Sequence, residues 1–213
     1  AVIWRHARTA LPNYPSPIVL EAAGKTQLFL TGIEKVTSLD PLTGKVNWEI
    51  AGATTECVTT TPTDGKHIYS SGGYPKNHIA AIAADGSGKV VWETNDRVYV
   101  PSMLIKDGHL YATMDGGVAL CLDSATGAEK WKGRLGGTFS ASPVLVGEKI
   151  YAVNESGDFY IFKADPAGLE ILAKNKVGDE VFATPSICGG NVFLRVAFYA
   201  GEKRSERLIC FGE

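Results

Sequence analysis

The sequence contains no apolar run near the roughly 18 residues that a membrane helix requires, so no direct membrane insertion is expected. It has no excess of either charge: 21 Lys and Arg stand against 23 Asp and Glu, a formal net charge of −2. A basic nucleic-acid footprint is therefore missing, and no nucleic-acid partner is expected. Cysteine is scarce. Cys57, Cys121, Cys188 and Cys210 lie far apart and form no CxxC pair, so zinc and dithiol spacing are absent. Cys121 and Cys210 sit in apolar strand segments and are expected to be buried free thiols. No GxSxG elbow, P-loop or HExxH is present, and no GxGxxG follows a strand. His6, His67, His78 and His109 are dispersed, and His67 and His109 hold matching positions after Gly turns, which reads as structural rather than ligating. Helical spacing is not sustained over ten residues anywhere.

Glycine, by contrast, is plentiful at 24 residues, and it falls at turn-like positions. The chain also repeats itself. Prolines 17, 62, 101, 143 and 185 are spaced by 45, 39, 42 and 42 residues, each leading toward an apolar strand. Tryptophans 4, 48, 92 and 131 are spaced by 44, 44 and 39, and Leu172 falls 41 further on. Within a period come a Gly turn, an alternating strand such as Lys149-Ile150-Tyr151-Ala152-Val153, a second turn, a third strand ending in Leu-Asp, and a Thr-Gly turn before a strand carrying Trp. Gly supplies the positive φ of tight hairpins, and Asp bonds local N–H groups. Four short strands per forty-odd residues is the arithmetic of a propeller blade.

The fold expected is thus all-β, a β-propeller of four-stranded antiparallel blades. About five blades are expected, at 14–52, 58–96, 100–136, 140–177 and 183–213, within one domain over 1–213. Residues 1–6 are expected as a strand of a preceding or closing blade. Val2-Ile3-Trp4-Arg5 would supply the fourth strand of the last blade in a closed five-bladed ring.

The string D-x-x-T-G-x-x-x-W, intact at Asp40 to Trp48 and Asp123 to Trp131, resembles the repeat of PQQ-like (quinoprotein-type) propellers, and the chain is most similar to the BamB-like group. The copy from Asp85 to Trp92 is one residue short, and the copy from Asp165 to Leu172 has lost Thr and Trp. The resemblance implies that Trp4, Trp48, Trp92 and Trp131, with Asp40, Gly44, Asp123 and Gly127, tie neighbouring blades together. It implies a ring of seven or eight blades, of which this chain would be the C-terminal part, and a periplasmic or secreted location. PQQ with Ca²⁺ is the cofactor of the family's dehydrogenases. No adjacent Cys-Cys pair and no Ca²⁺-ligand motif is found here, so no cofactor and no metal are expected. The function expected is a non-catalytic scaffold or binding module for protein–protein interaction outside the cytoplasm; the alternatives are a PQQ-dependent dehydrogenase with its catalytic residues in upstream blades and a carbohydrate- or small-ligand-binding accessory domain.

Propellers bind through the loops that join blades. Those loops offer Tyr14, Glu56, Arg97, Tyr99, Phe139, Glu180 and Phe182 as a binding surface for a protein or peptide, or for a sugar face; the competing reading has the aromatics filling gaps between blades. The hairpin Ser71–His78 is either ornament or a second ligand contact through Lys76 and His78. Asn154-Glu155-Ser156 fits a glycosylation sequon in a tight turn.

Overall fold

The computed structural model describes residues 1–212, and all regular structure in it is β. The first blade comprises β1 (Ile18–Ala22), β2 (Lys25–Gly32), β3 (Lys35–Leu39) and β4 (Val46–Ala51) in sequential antiparallel order. The second has β5 (His67–Gly72), β6 (His78–Ala83) and β7 (Val90–Thr94), with only a Thr63–Ile68 bridge where an innermost strand would run. The third is β8 (Leu104–Lys106), β9 (His109–Met114), β10 (Val118–Asp123) and β11 (Glu129–Arg134). The fourth is β12 (Val144–Val146), β13 (Lys149–Val153), β14 (Asp158–Lys163) and β15 (Ile171–Lys176). The fifth holds β16 (Ser186–Cys188), β17 (Asn191–Ala200) and β18 (Lys203–Phe211). Five antiparallel sheets, meandering in chain order, are the expected blades.

The chain forms two compact units. One contains Ala1–Tyr99 with the turn Asp123–Ala128; the other contains Val100–Leu122 with the rest of the chain from Glu129. In the first unit Phe29 and Val36 of the first blade are buried against Ile68, Ala80 and Ile82 of the second. In the second unit the fourth blade is covered on both faces. Ile150, Ala152, Tyr160 and Phe162 pack on Tyr111, Cys121 and Trp131, while Val153 and Phe159 pack on Leu194 and Val196. A strand covered on both faces favours apolar residues at consecutive positions, which is why Ile-Tyr-Ala-Val runs unbroken through β13. Each fully buried side chain of this size contributes about 1.5–3 kcal/mol.

The Asp of each repeat closes its turn. Asp40 Oδ1 accepts from the N–H of Leu42 at 2.8 Å and of Thr43 at 2.9 Å, and Asp123 Oδ1 does the same for Ala125 and Thr126. The N–H bonds of Thr43 and Leu42 hold the Asp40 carboxyl below its ordinary value. Gly44 and Gly127 follow with φ of +71° and +73° and leave room for an indole, since a Cβ would stand 2.4 Å from Trp4 and 2.6 Å from Trp92, respectively. The indole N–H groups then donate onward: Trp4 to the Pro41 carbonyl (3.0 Å), Trp92 to Ser124 (2.8 Å) and Trp131 to Asp165 (2.8 Å). Trp4, Trp92 and Trp131 are thus pinned to the Asp turn of the blade that follows. Trp48 departs from the pattern because the turn it meets, Asp85–Gly88, is the short copy. It donates instead to Gln27 Oε1 at 3.1 Å, and Gln27 Nε2 donates to the Ala84 carbonyl at 3.3 Å, relaying the contact.

Four expectations are corrected. The position matching Trp131 in the fourth blade is Ala173, because Ile161 pairs with Ala173 as Cys121 pairs with Trp131; Leu172 is the unpaired residue of a bulge. Residues 1–9 are in no strand, although Trp4 is docked on the Asp40 turn, and among the described residues β18 pairs with β17. Cys210 is exposed, because β18 is an outer strand with nothing on that face; Cys121 is buried as expected. The prolines are not equivalent positions. By strand register Pro143 and Pro185 match Met103, whereas Pro101 lies two residues earlier. Innermost strands tolerate Pro at several points because one edge lacks a ladder partner. At the equivalent positions before Met103, Pro143 and Pro185 stand hydroxyl residues instead: the Ser102 N–H donates to Ser142 Oγ at 2.9 Å, and the Ser142 N–H to Thr184 Oγ1 at 3.1 Å.

Candidate functional site

In the first unit the joining loops converge on the segment Thr54–Cys57. Asn13 anchors it, its Oδ1 accepting from the Cys57 N–H at 3.3 Å and its Nδ2 donating to the Thr55 carbonyl at 3.4 Å. The Tyr14 N–H donates to the Cys57 carbonyl at 3.1 Å, and Glu56 forms an isolated bridge with Tyr74. The Tyr99 hydroxyl donates to Glu56 Oε2 at 3.2 Å. Burial, with Glu56 adding to it, pushes the Tyr99 phenol up from its ordinary value. The Arg97 guanidinium lies 5.4 Å from the centre of the Tyr99 ring and donates to the Gly73 carbonyl at 3.3 Å. Gly73 is required there, because a Cβ would come within 2.5 Å of Tyr99 Cβ. Four expected residues, Tyr14, Glu56, Arg97 and Tyr99, are therefore brought together. Tyr74 completes the group and was not foreseen. Its hairpin drew notice for Lys76 and His78, and nothing in the sequence places it beside Glu56. Tyr14 and Tyr74 are 61% and 55% exposed.

The other three expected residues lie in the second unit. Phe139 is buried at 1%, its ring 6.2 Å from that of Tyr160, so it fills the core and presents no binding surface. Phe182 is exposed beside Glu180. Glu180 Oε2 accepts from Arg204 Nε at 3.0 Å and from the Tyr199 hydroxyl at 3.1 Å, and Glu206 pairs with both Arg195 and Arg204. A shallow cavity of about 240 Å³ lies over this network, whose charges are mutually satisfied.

His67 and His109 do not form a pair. His67 Nδ1 meets Asp64 Oδ2 at 2.9 Å, and His109 Nδ1 meets the Asp107 carbonyl at 2.8 Å. Asn154 is buried at 1% and its amide donates to the Gly136 carbonyl, which removes it from the reach of glycosylation. The cysteines that would have to adjoin for a vicinal disulfide occupy separate elements, and no group of three or more His, Cys, Asp or Glu suited to a metal occurs among the described residues.

A family model described as outer membrane protein assembly factor BamB matches residues 75–167. The crystal structure of BamB from Moraxella catarrhalis superposes on 92% of the chain with a TM-score of 0.70, at 13% identity. The chain shares the β-propeller fold of BamB, and residues 75–167 carry the sequence match to the BamB family model. The chain spans 61% of the length of the Moraxella protein. A europium-containing methanol dehydrogenase is also similar, at 19% identity and a TM-score of 0.46, over 54% of this chain and 24% of that one. No curated protein matches the chain in sequence.

Proposed function

We propose that the protein is a non-catalytic interaction module, working outside the cytoplasm without a bound cofactor, and that the loop surface around Glu56 takes a protein partner. The observation that carries this reading is the convergence of Tyr14, Tyr74 and Tyr99 on the segment Glu56–Cys57. Tyrosine gives large contact area at little rotamer cost, and exposed aromatics gathered on a braced backbone are the make-up of an interface centre. Two of these rings stand largely in solvent, while Asn13 and Gly73 hold the backbone beneath them. The resemblance to BamB, a protein described as an assembly factor, supports a partner that is protein.

A photo-crosslinking side chain placed at Tyr74, and separately at the exposed Leu42 away from this surface, tests the reading in cells of the source organism. A discrete adduct from position 74, absent from position 42 and abolished by Glu56→Ala with Tyr14→Ala, is expected. Equal labelling at both positions, or an adduct indifferent to those substitutions, would sink it.

A further inference from the structure

Beside the same loop segment lies a cavity of about 330 Å³, wholly within the first unit. Its apolar walls are formed by Ala51, Ala53, Pro75 and Val90, its hydroxyls come from Thr54 and Thr55, and its titratable groups are Glu34, Lys76, His78 and Glu93. His78 is the unusual member: its residue is only 5% exposed, yet it lines an open space. Its Nε2 stands 3.2 Å from the Gly52 carbonyl, which only accepts, so Nε2 carries the hydrogen. Burial holds the imidazole below its ordinary value, a bias that the Gly52 bond and the Glu93 charge offset only in part. The ring is thus neutral near pH 7, and Nδ1 presents a lone pair. That lone pair faces Glu93 Oε2 at 4.0 Å, beyond hydrogen-bonding reach.

Two electron-rich groups facing each other across this gap call for a donor between them. Glu34 and Glu93 bring two negative charges to the cavity and Lys76 one positive charge, leaving a deficit of one cation. The apolar walls suit a short alkyl stem, which a charged head can project beyond. A metal ion would find one imidazole and no third ligand, since no such group occurs among the described residues.

We propose that this cavity receives a lysine side chain from an extended segment of the partner, its ammonium seated between His78 Nδ1 and the Glu93 carboxylate. The proposal rests on the reading of the loop surface as a protein interface, and it adds the identity of one recognised residue. The ammonium supplies up to three donors, enough for both groups and a water, and the methylenes lie along Ala51, Ala53 and Val90.

The test titrates the intact protein with the peptide acetyl-Gly-Lys-Gly-amide and with its norleucine counterpart, following the His78 ring nitrogens by ¹⁵N NMR. The lysine peptide is expected to bind saturably and weakly, and to shift Nδ1 more than Nε2 as the lone pair accepts a hydrogen bond. Norleucine, with the same stem and no charge, is expected to bind at least about tenfold more weakly, as is the lysine peptide to Glu93→Gln. Glu93 is largely exposed, so that variant is expected to fold; Val90→Trp, which blocks the cavity without touching the charges, provides an independent loss of binding. Equal binding of the two peptides, an affinity unchanged in Glu93→Gln, or no movement of the His78 resonances overturns the lysine site. Position-specific crosslinks from Tyr74 that persist in Glu93→Gln, alongside such a result, would leave the broader interface standing and remove only this pocket.

Discussion

Asp64 is where single-residue chemistry bears hardest on stability. Burial opposes its charge, but the ring of His67, the N–H of His67, the hydroxyl of Tyr69 and the N–H of Lys66 all bond the carboxylate and hold its pKa to about 2. An unfolded Asp titrates near 3.9. The folded value is depressed, so the stabilisation is fully present above about pH 4 and is lost as pH falls toward 2. Asp64→Asn is expected to cost roughly 1 kcal/mol at pH 7, allowing for solvent screening at this partly exposed site. The variant's melting temperature is expected to fall less steeply between pH 4 and pH 2 than that of the parent. Parallel melting curves across that range would contradict this account. Tyr69 joins the network to the next repeat, its hydroxyl donating to Asp64 and lying 3.1 Å from the Ser124 carbonyl. Only the Asp-Gly turn was legible in the sequence; that the His67 ring and the Tyr69 hydroxyl both meet the carboxylate was not.

Between elements, the indole-on-glycine contact is the recurrent joint, and two glycines separate its parts. Gly127 and Gly65 both have positive φ, at +73° and +87°, but only Gly127 lies against an indole; at Gly65 nothing stands within 4 Å of a new Cβ. Gly65→Ala is expected to cost about 1 kcal/mol from backbone strain alone. Gly127→Ala is expected to cost at least about 1 kcal/mol more, because its methyl group displaces Trp92. Equilibrium urea denaturation measures the difference, and equal losses would mean the joint has no energetic weight. This joint could be anticipated only through the resemblance of the D-x-x-T-G-x-x-x-W string to PQQ-type repeats; the spacing by itself gives the period and the Asp-Gly turns. The relay through Gln27 could not be anticipated, since the shortened Asp85 turn announces a gap without naming what fills it. Nor could the loop surface be resolved fully: Tyr14 and Phe139 look alike in the chain, and only packing makes one a surface ring and the other a core ring. The prolines gave the right period from unmatched positions, because inner strands constrain them weakly.

For the molecule as a whole, repeated sheets that touch mainly their neighbours make stability close to a sum of local terms. Trp48 leans on Gln27 and Gly86, Trp131 on Asp165 and Tyr111, and they share no partner. Each Trp→Ala substitution is expected to cost about 3 kcal/mol, and the double variant the sum to within about 0.5 kcal/mol. Calorimetry of the four proteins in that cycle measures it; an interaction energy well above that margin would mean the sheets do not act locally. One regularity remains useful beyond stability. In four blades the outer strand bulges immediately before the docking position, at Asn47, Val91, Lys130 and Leu172, where the strand register skips one residue. Four unlike side chains share that station, so the bulge sets no demand on side-chain type. Dyes or spin labels installed at Val91 or Leu172 would read out the geometry of individual blades without displacing a ladder residue.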